Sequence, residues 1–382
     1  MSSTSDVIVL GAGIVGSAIA FRLAERGVNV RVLEAAEAPA TGSTGRSAAG
    51  VRVQFSSEWN VRLSLAGIEE YRSFPEQFGR PSGYWPQGYL FLVPEAAWET
   101  HAQGLTLQRS LGAPVEELSP EEAQRWVPFD PVGIHRTTYG PIDGVVDPHA
   151  LAMGYLAMAR ERGATLHLSC PLIEAAYQQA VWEVKTPAGT FEAPLVVNAT
   201  GAWAGEVAGR AGLSLPVTPS RRMVFVTDPR PGDHAYPLTI DLSSGVYLRS
   251  EGERILLGRS NPNEVPGFVE GIDWAWLEPT LELALPRFAF LEDAGLDRRA
   301  SWWGYYEVTP DHDAILGRHP DTEGWLDAAG FSGHGVQHAA MVGRLMAEEV
   351  IDGAAHTMDI GPLRHARFLD GDASKSAERN IV

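Results

Sequence analysis

Gly11, Gly13 and Gly16 stand in the spacing G-x-G-x-x-G, and Glu34 follows 23 positions after the first of them. Glycines so spaced allow a tight turn at the first position, close approach to a pyrophosphate at the second, and helix-on-strand packing at the third. A carboxylate roughly twenty residues further on accepts hydrogen bonds from ribose hydroxyls. The glycines alone would also suit a plain structural turn. Here Val7–Leu10 precedes them as an all-apolar strand, and an apolar helix runs from Ile14 to about Arg26, where Gly27 stops it. A second strand, Val28–Leu33, ends on Glu34. Strand, helix, strand and acid in register point to a dinucleotide, with its phosphates at the helix N-terminus beside Ile14. The acid at 34 disfavours NADP, whose extra phosphate calls for arginine.

Other chemistry is narrowed by what the chain contains. Lys185 and Lys375 are the only lysines, and neither context suits a Schiff base. Cys170 is the only cysteine, which excludes internal disulfides and cysteine metal clusters. His334 and His338 lie four apart at a helix start and share a face, but no metal is expected there. Asp311-His312-Asp313 reads as a polar turn, and no Ser/His/Asp pattern or nucleophile elbow occurs. The net charge of −18 argues against nucleic acid and anionic membranes. No stretch is apolar enough to span a bilayer, and the first residues lack the positive region of a secretory signal, so a cytoplasmic location is expected.

The elements that must position these groups are legible in outline. Helical patterns cover about 57–73, 95–111 and 119–126, and Gly88–Val93 reads as a strand. Asp147-Pro148 is an N-cap and first turn for a helix to about Arg162. Strands follow at Thr165–Leu168, Leu172–Tyr177, Val181–Thr186 and Leu195–Asn198, the last entering Asn198-Ala199-Thr200-Gly201-Ala202-Trp203. Residues 220–260 read as strands and turns, and Asp273–Leu291 as a helix broken or ended by Pro279 and Pro286. Strands at 301–308 and 325–328 precede Gly330-Phe331-Ser332-Gly333-His334-Gly335, which opens a helix to about Ile351. The expected class is α/β. A Rossmann-type domain (1–80, 141–215 and 309–368) is interrupted by a mixed-sheet α+β domain (81–140 and 216–308), and 369–382 form a loose tail.

The opening unit, the NATGAW segment and the GFSGHG helix together resemble the D-amino-acid oxidase and sarcosine oxidase superfamily of FAD enzymes. GRSAAGVRVQF at 45–55, WWGYYEVTPDHDAILGR at 302–318 and AAGFSGHG at 328–335 look closest to the β subunits of dye-linked L-proline dehydrogenase and heteromeric sarcosine oxidase. The resemblance implies an FAD domain with a substrate domain whose sheet lies over the flavin. It adds Ser43, Arg46, Ser47, Ala199, Thr200, Gly201, Trp203, Gly330, Gly333, His334 and Gly335 to the cofactor contacts. A helix N-terminus after Gly335 suits the negative charge that a reduced flavin carries. The resemblance further implies that Arg52 holds a substrate carboxylate, with Tyr306 beside the flavin and Tyr247 and Arg249 as pocket candidates. Tyr305, Trp302 and Trp303 read as core.

Four departures refine this reading. Some relatives tether FAD through a cysteine where Gly304 stands, others through a histidine in the loop matching 41–50, which has none. Non-covalent FAD is therefore expected. The lysine that activates oxygen in the family's oxidases is matched by Leu256, and a second family lysine by Gln337. The expected function is oxidation of the C–N bond of a small amino acid or secondary amine, proline- or sarcosine-like, by hydride transfer to flavin N5. A dehydrogenase fits better than an oxidase, with an external acceptor or a partner electron-transfer subunit taking the electrons. The alternatives are a D-amino-acid or 2-hydroxy-acid oxidoreductase, or an electron-transfer subunit inactive alone.

Overall fold

The computed structural model describes residues 4–369 apart from 231, 233 and 234. The tail expected at 369–382 falls, beyond Leu369, outside the described residues. One sheet has the strand order 315–318, 325–329, 195–198, 7–10, 30–33, 165–167. Its neighbours run parallel except for the antiparallel edge strand Ile315–Arg318. Val7–Leu10, Val30–Leu33 and Trp325–Ala329 are buried along their whole length, as a sheet covered on both faces requires. Helices Ile14–Glu25, Pro148–Glu161 and Gly335–Ile351 pack on one face with Glu58–Phe78 behind them. A three-stranded antiparallel sheet, 174–178, 181–186 and 189–193, covers the other through Trp182 and Phe191.

The second sheet has eight strands in the order 302–308, 218–226, 254–259, 246–251, 238–241, 89–93, 136–140, 116–118. All of them come from the segments 81–140 and 216–308. Its two faces divide by alternation. Leu90, Leu92, Met223, Phe225, Leu248, Ile255 and Leu257 form one core with Phe288 and Ala284 of the capping segment. The residues between them, Tyr89, Phe91, Arg222, Val224, Leu238, Ile240, Tyr247 and Tyr306, lie on the opposite face.

Several local expectations hold, and a few shift. Asp147 caps its helix, accepting the Ala150 N–H at 2.9 Å, with Pro148 in the first turn. The helix expected to stop near 73 continues through Pro75 to Phe78, since a proline in the last turn removes only one bond. Gly79, at φ 64°, ends it and donates to the Pro75 carbonyl. The segment 273–291 splits into a 3-10 turn at Trp274–Trp276 and a helix at Leu277–Arg287. Strands 136–140, 189–193, 315–318 and the short pair 50–51 with 144–145 are additions to the sequence reading. No helix among the described residues is long and apolar enough to cross a membrane.

Candidate functional site

A cavity of about 540 Å³ runs between the parallel sheet and the eight-stranded sheet. Its first end is built of backbone. Gly11, at φ 96°, turns the chain so tightly that a Cβ there would stand 2.5 Å from the Ala199 carbonyl oxygen. Gly16 does not line the cavity; it packs against the Gly11 carbonyl and Ala199, the helix-on-strand role its spacing predicts. Gly13 and Ile14 open the helix toward the cavity with no capping side chain of their own. Thr44, from the loop after Glu34, accepts the Ile14 N–H at 3.0 Å. Glu34 is oriented by two amides: Oε2 accepts from Ala12 at 2.7 Å and Oε1 from Ala36 at 2.8 Å.

The loop 41–49 lies between the two sheets and is fastened to the second. Ser43 Oγ donates to the Tyr305 carbonyl (2.8 Å), and Trp302 Nε1 donates to the Arg46 carbonyl (2.9 Å). The Arg46 guanidinium lies 4.3 Å from the Trp303 ring centre. Trp302 and Trp303 are thus half-buried anchors for this loop as well as sheet residues. Ser43, Arg46 and Ser47 line the cavity, as do Ala199, Thr200, Gly201 and Trp203. Asn198 braces the last group: its Nδ2 donates to the Ala204 carbonyl, and its Oδ1 accepts from Thr200.

Gly333, His334 and Gly335 line the middle of the cavity, where Gly335 begins the helix to Ile351 with no side-chain cap. Gly330 stands back from the wall. Its φ is 77°, a Cβ would meet Thr309, and its N–H donates to Glu307 Oε2 at 2.9 Å. Glu307 lines the cavity but serves to clamp this turn, and burial lifts its carboxyl to about 7. Sequence reasoning passed over Glu307; the only available signal was its place next to Tyr306.

The other end is built of side chains. Arg52 is 4% exposed, its guanidinium lying 4.2 Å from the Phe55 ring centre and 5.4 Å from that of Phe91. Its Nη1 donates to the Gln54 carbonyl, and its backbone N–H to Gln337 Oε1 at 2.7 Å. Gln337 thus fixes the Arg52 backbone. Asp143 backs the same segment, accepting from the Val53 N–H and from Gln54 Nε2, with burial raising its carboxyl to about 7. Three tyrosines complete this end, each against a glycine. A Cβ at Gly50 would overlap Tyr89, one at Gly258 would overlap Tyr247, and one at Gly333 would overlap Tyr306. Burial raises the Tyr89 and Tyr247 hydroxyls above the usual phenol range. Tyr89 and Arg222 had not been singled out from the sequence, because their orientation depends on strand register.

His334 and His338 are both buried with pKa lowered, chiefly by burial and then by the Arg52 charge, His338 to about 3. They are neutral imidazoles packed around Phe55, with His338 Nε2 at 3.1 Å from Ser64 Oγ. Asp311 pairs with Arg367 and Asp313 accepts from Asn60, so the polar turn is a structural tie. Leu256 lies outside the cavity lining, packed with Val224, Val226 and Trp302 beside a neighbouring groove. Arg249 lines that groove as well, donating to the Ala48 and Ser250 carbonyls.

Residues 6–349 match the DAO family of FAD dependent oxidoreductases. The chain belongs to that family. FAD-dependent oxidoreductase domain-containing protein 1 of Bos taurus is 30% identical over 97% of this chain and 86% of its own length. Human mitochondrial sarcosine dehydrogenase is 27% identical over 96% of this chain, which spans 42% of that longer protein. Among solved structures, L-proline dehydrogenase from P. horikoshii superposes with a TM-score of 0.89 at 29% identity, covering 97% of this chain and all of that one. Glycine oxidase from Geobacillus kaustophilus follows at 0.83 and 26%, covering 95% and 98%. As a member of the DAO family this protein is an FAD-dependent oxidoreductase. The cavity suits that cofactor: bare glycine backbone at 11 and 13, two helix N-termini and the Glu34 carboxylate all meet it.

Proposed function

We propose that the protein oxidises the C–N bond of a small amino acid or secondary amine whose carboxylate is held by Arg52. The observation that carries this reading is the Arg52 guanidinium, buried between Phe55 and Phe91 at the end of the cavity remote from Glu34. A planar fork held against two rings has lost its freedom before any ligand arrives, so bidentate carboxylate binding costs little further entropy. Tyr306 and Tyr247 wall the space beside it.

FAD supplies the hydride acceptor, N5 of its ring. Of the residues proposed to hold it, Gly11, Gly13, Ile14 and Thr44 would meet the pyrophosphate, Glu34 the ribose, and Ala199–Gly201 and Trp203 the same end of the cavity. Ser43, Arg46, Ser47, Gly333, His334 and Gly335 would border the ring. The free N–H groups at Gly335 and beyond favour negative charge there. Arg52 and Arg222 line the cavity as cations, which disfavours an ammonium and so keeps the amine's lone pair available. Neutral His334 and the three tyrosines exclude bulk water without adding charge.

A dehydrogenase is favoured over an oxidase, with an external acceptor or a partner electron-transfer subunit receiving the electrons. No lysine lines the cavity among the described residues, and Lys185 is an exposed strand residue paired with Glu174. Non-covalent FAD is favoured because Gly304 faces the Arg46 side chain with no reactive atom.

The deciding experiment is anaerobic titration of the isolated flavoprotein with amino acids, N-methyl amino acids and 2-hydroxy acids. Bleaching by carboxylate-bearing amines alone is expected. Bleaching by hydroxy acids instead would replace the substrate class, and no bleaching without a second subunit would favour the electron-transfer role. Reoxidation in air should be far slower than turnover with a dye, and acid precipitation should leave all yellow colour in the supernatant.

A further inference from the structure

We propose that the substrate pocket carries a second anion site, formed by Arg222, so that the amine oxidised is one bearing two carboxylates. This rests on the amine-oxidising reading above. Arg222 lies on the strand Thr218–Val226, on the same sheet face as Val224, Tyr247 and Tyr306, and lines the cavity. Its guanidinium carbon stands 5.0 Å from the Tyr306 ring centre. Nη1 is fixed by the Ser220 hydroxyl at 2.7 Å and the Arg221 carbonyl at 2.9 Å. Nη2 makes no hydrogen bond in the described structure, and Nε is buried without a partner.

Three nearby arginines give a contrast, while Arg259, also without a carboxylate, is held outside the cavity by the Ser244 carbonyl and the Trp276 ring. Arg221, next in the chain and facing the other way, pairs with Glu264 at 3.0 Å. Arg254 pairs with Asp297 at 2.8 Å. Arg287, packed against the sheet, reaches Asp241 at 3.1 Å. Arg222 meets no carboxylate within ion-pair distance among the described residues. A half-buried cation that is held in place but left without a counter-charge is costly unless a ligand supplies one. The cofactor's phosphates do not, because the glycine turn and helix N-terminus that suit them are at Gly11–Ile14, on the parallel sheet.

The two arginines stand at opposite ends of the tyrosine group. Arg52 lies against Phe91 of strand 89–93 and Arg222 against Tyr306 of strand 302–308, and strand 246–251, which carries Tyr247, falls between those two in the sheet order. A ligand with one carboxylate on Arg52 and a second, on its nitrogen substituent or side chain, at Arg222 would cross the three hydroxyls. None of these has a protein hydrogen-bond partner in the described structure, so all three are available to the bridging atoms.

The test uses the FAD-loaded protein and two readouts. The first is binding of thioether acids that carry sulfur in place of the amine nitrogen. (Methylthio)acetate and thiodiacetate differ only in the second carboxylate, and their binding is read from perturbation of the flavin absorption. Thiodiacetate is expected to bind about 30-fold tighter, as charge-assisted bonds to a second arginine imply. Arg222→Gln should cut that ratio below about threefold, and Arg222→Lys should leave it intermediate, a point charge lacking the fork. The second readout is anaerobic bleaching by N-methyl against N-carboxymethyl amino acids, where the same ratios should appear in the half-saturating concentration. Equal binding of the two thioethers by the native protein overturns the second site, and so does a preference that survives Arg222→Gln. An unaltered preference with slowed reoxidation in air would place the Arg222 charge at oxygen chemistry instead, which also overturns it. If the thioether preference holds while no amine bleaches the flavin, the anion site stands and the amine-oxidising reading falls.

Discussion

The two ends of the cavity are made by different means. The cofactor end is mostly backbone: a left-handed glycine at 11, a helix start at Ile14 capped only by the Thr44 hydroxyl, an uncapped helix start at Gly335, and a single carboxylate at Glu34 held by two amides. The end proposed for the substrate is mostly side chain: Arg52, Tyr89, Arg222, Tyr247 and Tyr306 brought together from five separate segments. Backbone recognition tolerates almost any neighbouring side chain but no change of main-chain path. Side-chain recognition is the reverse. The first end is therefore suited to a ligand shared by the whole family, the second to one that differs between members.

Substitutions at the two ends should separate accordingly, and the largest effect belongs to the backbone end. Gly11→Ala places a Cβ 2.5 Å from the Ala199 oxygen at a φ of 96°. A side chain at positive φ costs about 1 kcal/mol or more before the overlap is counted. The variant is expected to purify without flavin and to melt at a lower temperature. Yellow protein with an unchanged melting curve would break the distinction.

Arg52→Met probes the other end. It should raise the half-saturating substrate concentration about 100-fold, as loss of a charged, bidentate partner implies, while flavin stays bound. Turnover of carboxylate-free amines as readily as amino acids by the native protein would remove Arg52 from the role. Loss of flavin in this variant would mean that the two ends are one mechanical unit.

Glu307 sits between them, and its expected signature is a pH dependence. Burial raises its carboxyl from 4.5 to about 7, so the folded chain keeps a proton that the unfolded chain releases. That contribution is fully present below about pH 4.5 and is lost as pH rises through about 7. Glu307→Gln should flatten the decline by about 2 kcal/mol, with Asp143 maintaining the rest. Denaturant unfolding of both proteins at pH 5 and 7.5 measures it, and parallel losses of stability would show that Glu307 is charged in the fold.

Glu34→Ala should have the smallest effect of the four. The side chain is partly exposed, and its loss removes one charged acceptor, about 1.5 kcal/mol or roughly tenfold in FAD affinity. Unchanged flavin occupancy after prolonged dialysis would mean that Glu34 only braces Ala12 and Ala36.

The same division explains what could be read in advance. G-x-G-x-x-G with Glu34, Asp147-Pro148 and the run from Gly330 to Gly335 are local patterns, each specifying its own turn or helix start. The strands 50–51 and 144–145 were not legible, because a two-residue pairing leaves no periodic signal. Strand 315–318 was missed because Gly317-Arg318 looks like a turn, and pairing with Trp325–Ala329 decides otherwise. Leu256 is matched by resemblance to an oxygen-activating lysine over the flavin, yet it does not line the cavity. Only the register of Val226 against it shows that this side chain falls beside a neighbouring groove.

The sequence by itself determined the nucleotide-binding unit and the family, and marked Arg52 as a candidate, because those reside in contiguous residues whose backbone demands are fixed locally. The tertiary structure decided which side chains share the substrate end. Tyr89, Arg222, Tyr247 and Tyr306 face one space because strands 89–93, 218–226, 246–251 and 302–308 pair in one register. A slip of one residue in any of those strands would turn its side chain to the opposite face, into the core around Phe225 and Leu248. That alternation is physical rather than written in any one segment, so the charge on Arg222 becomes part of the site only once the sheet has closed over it.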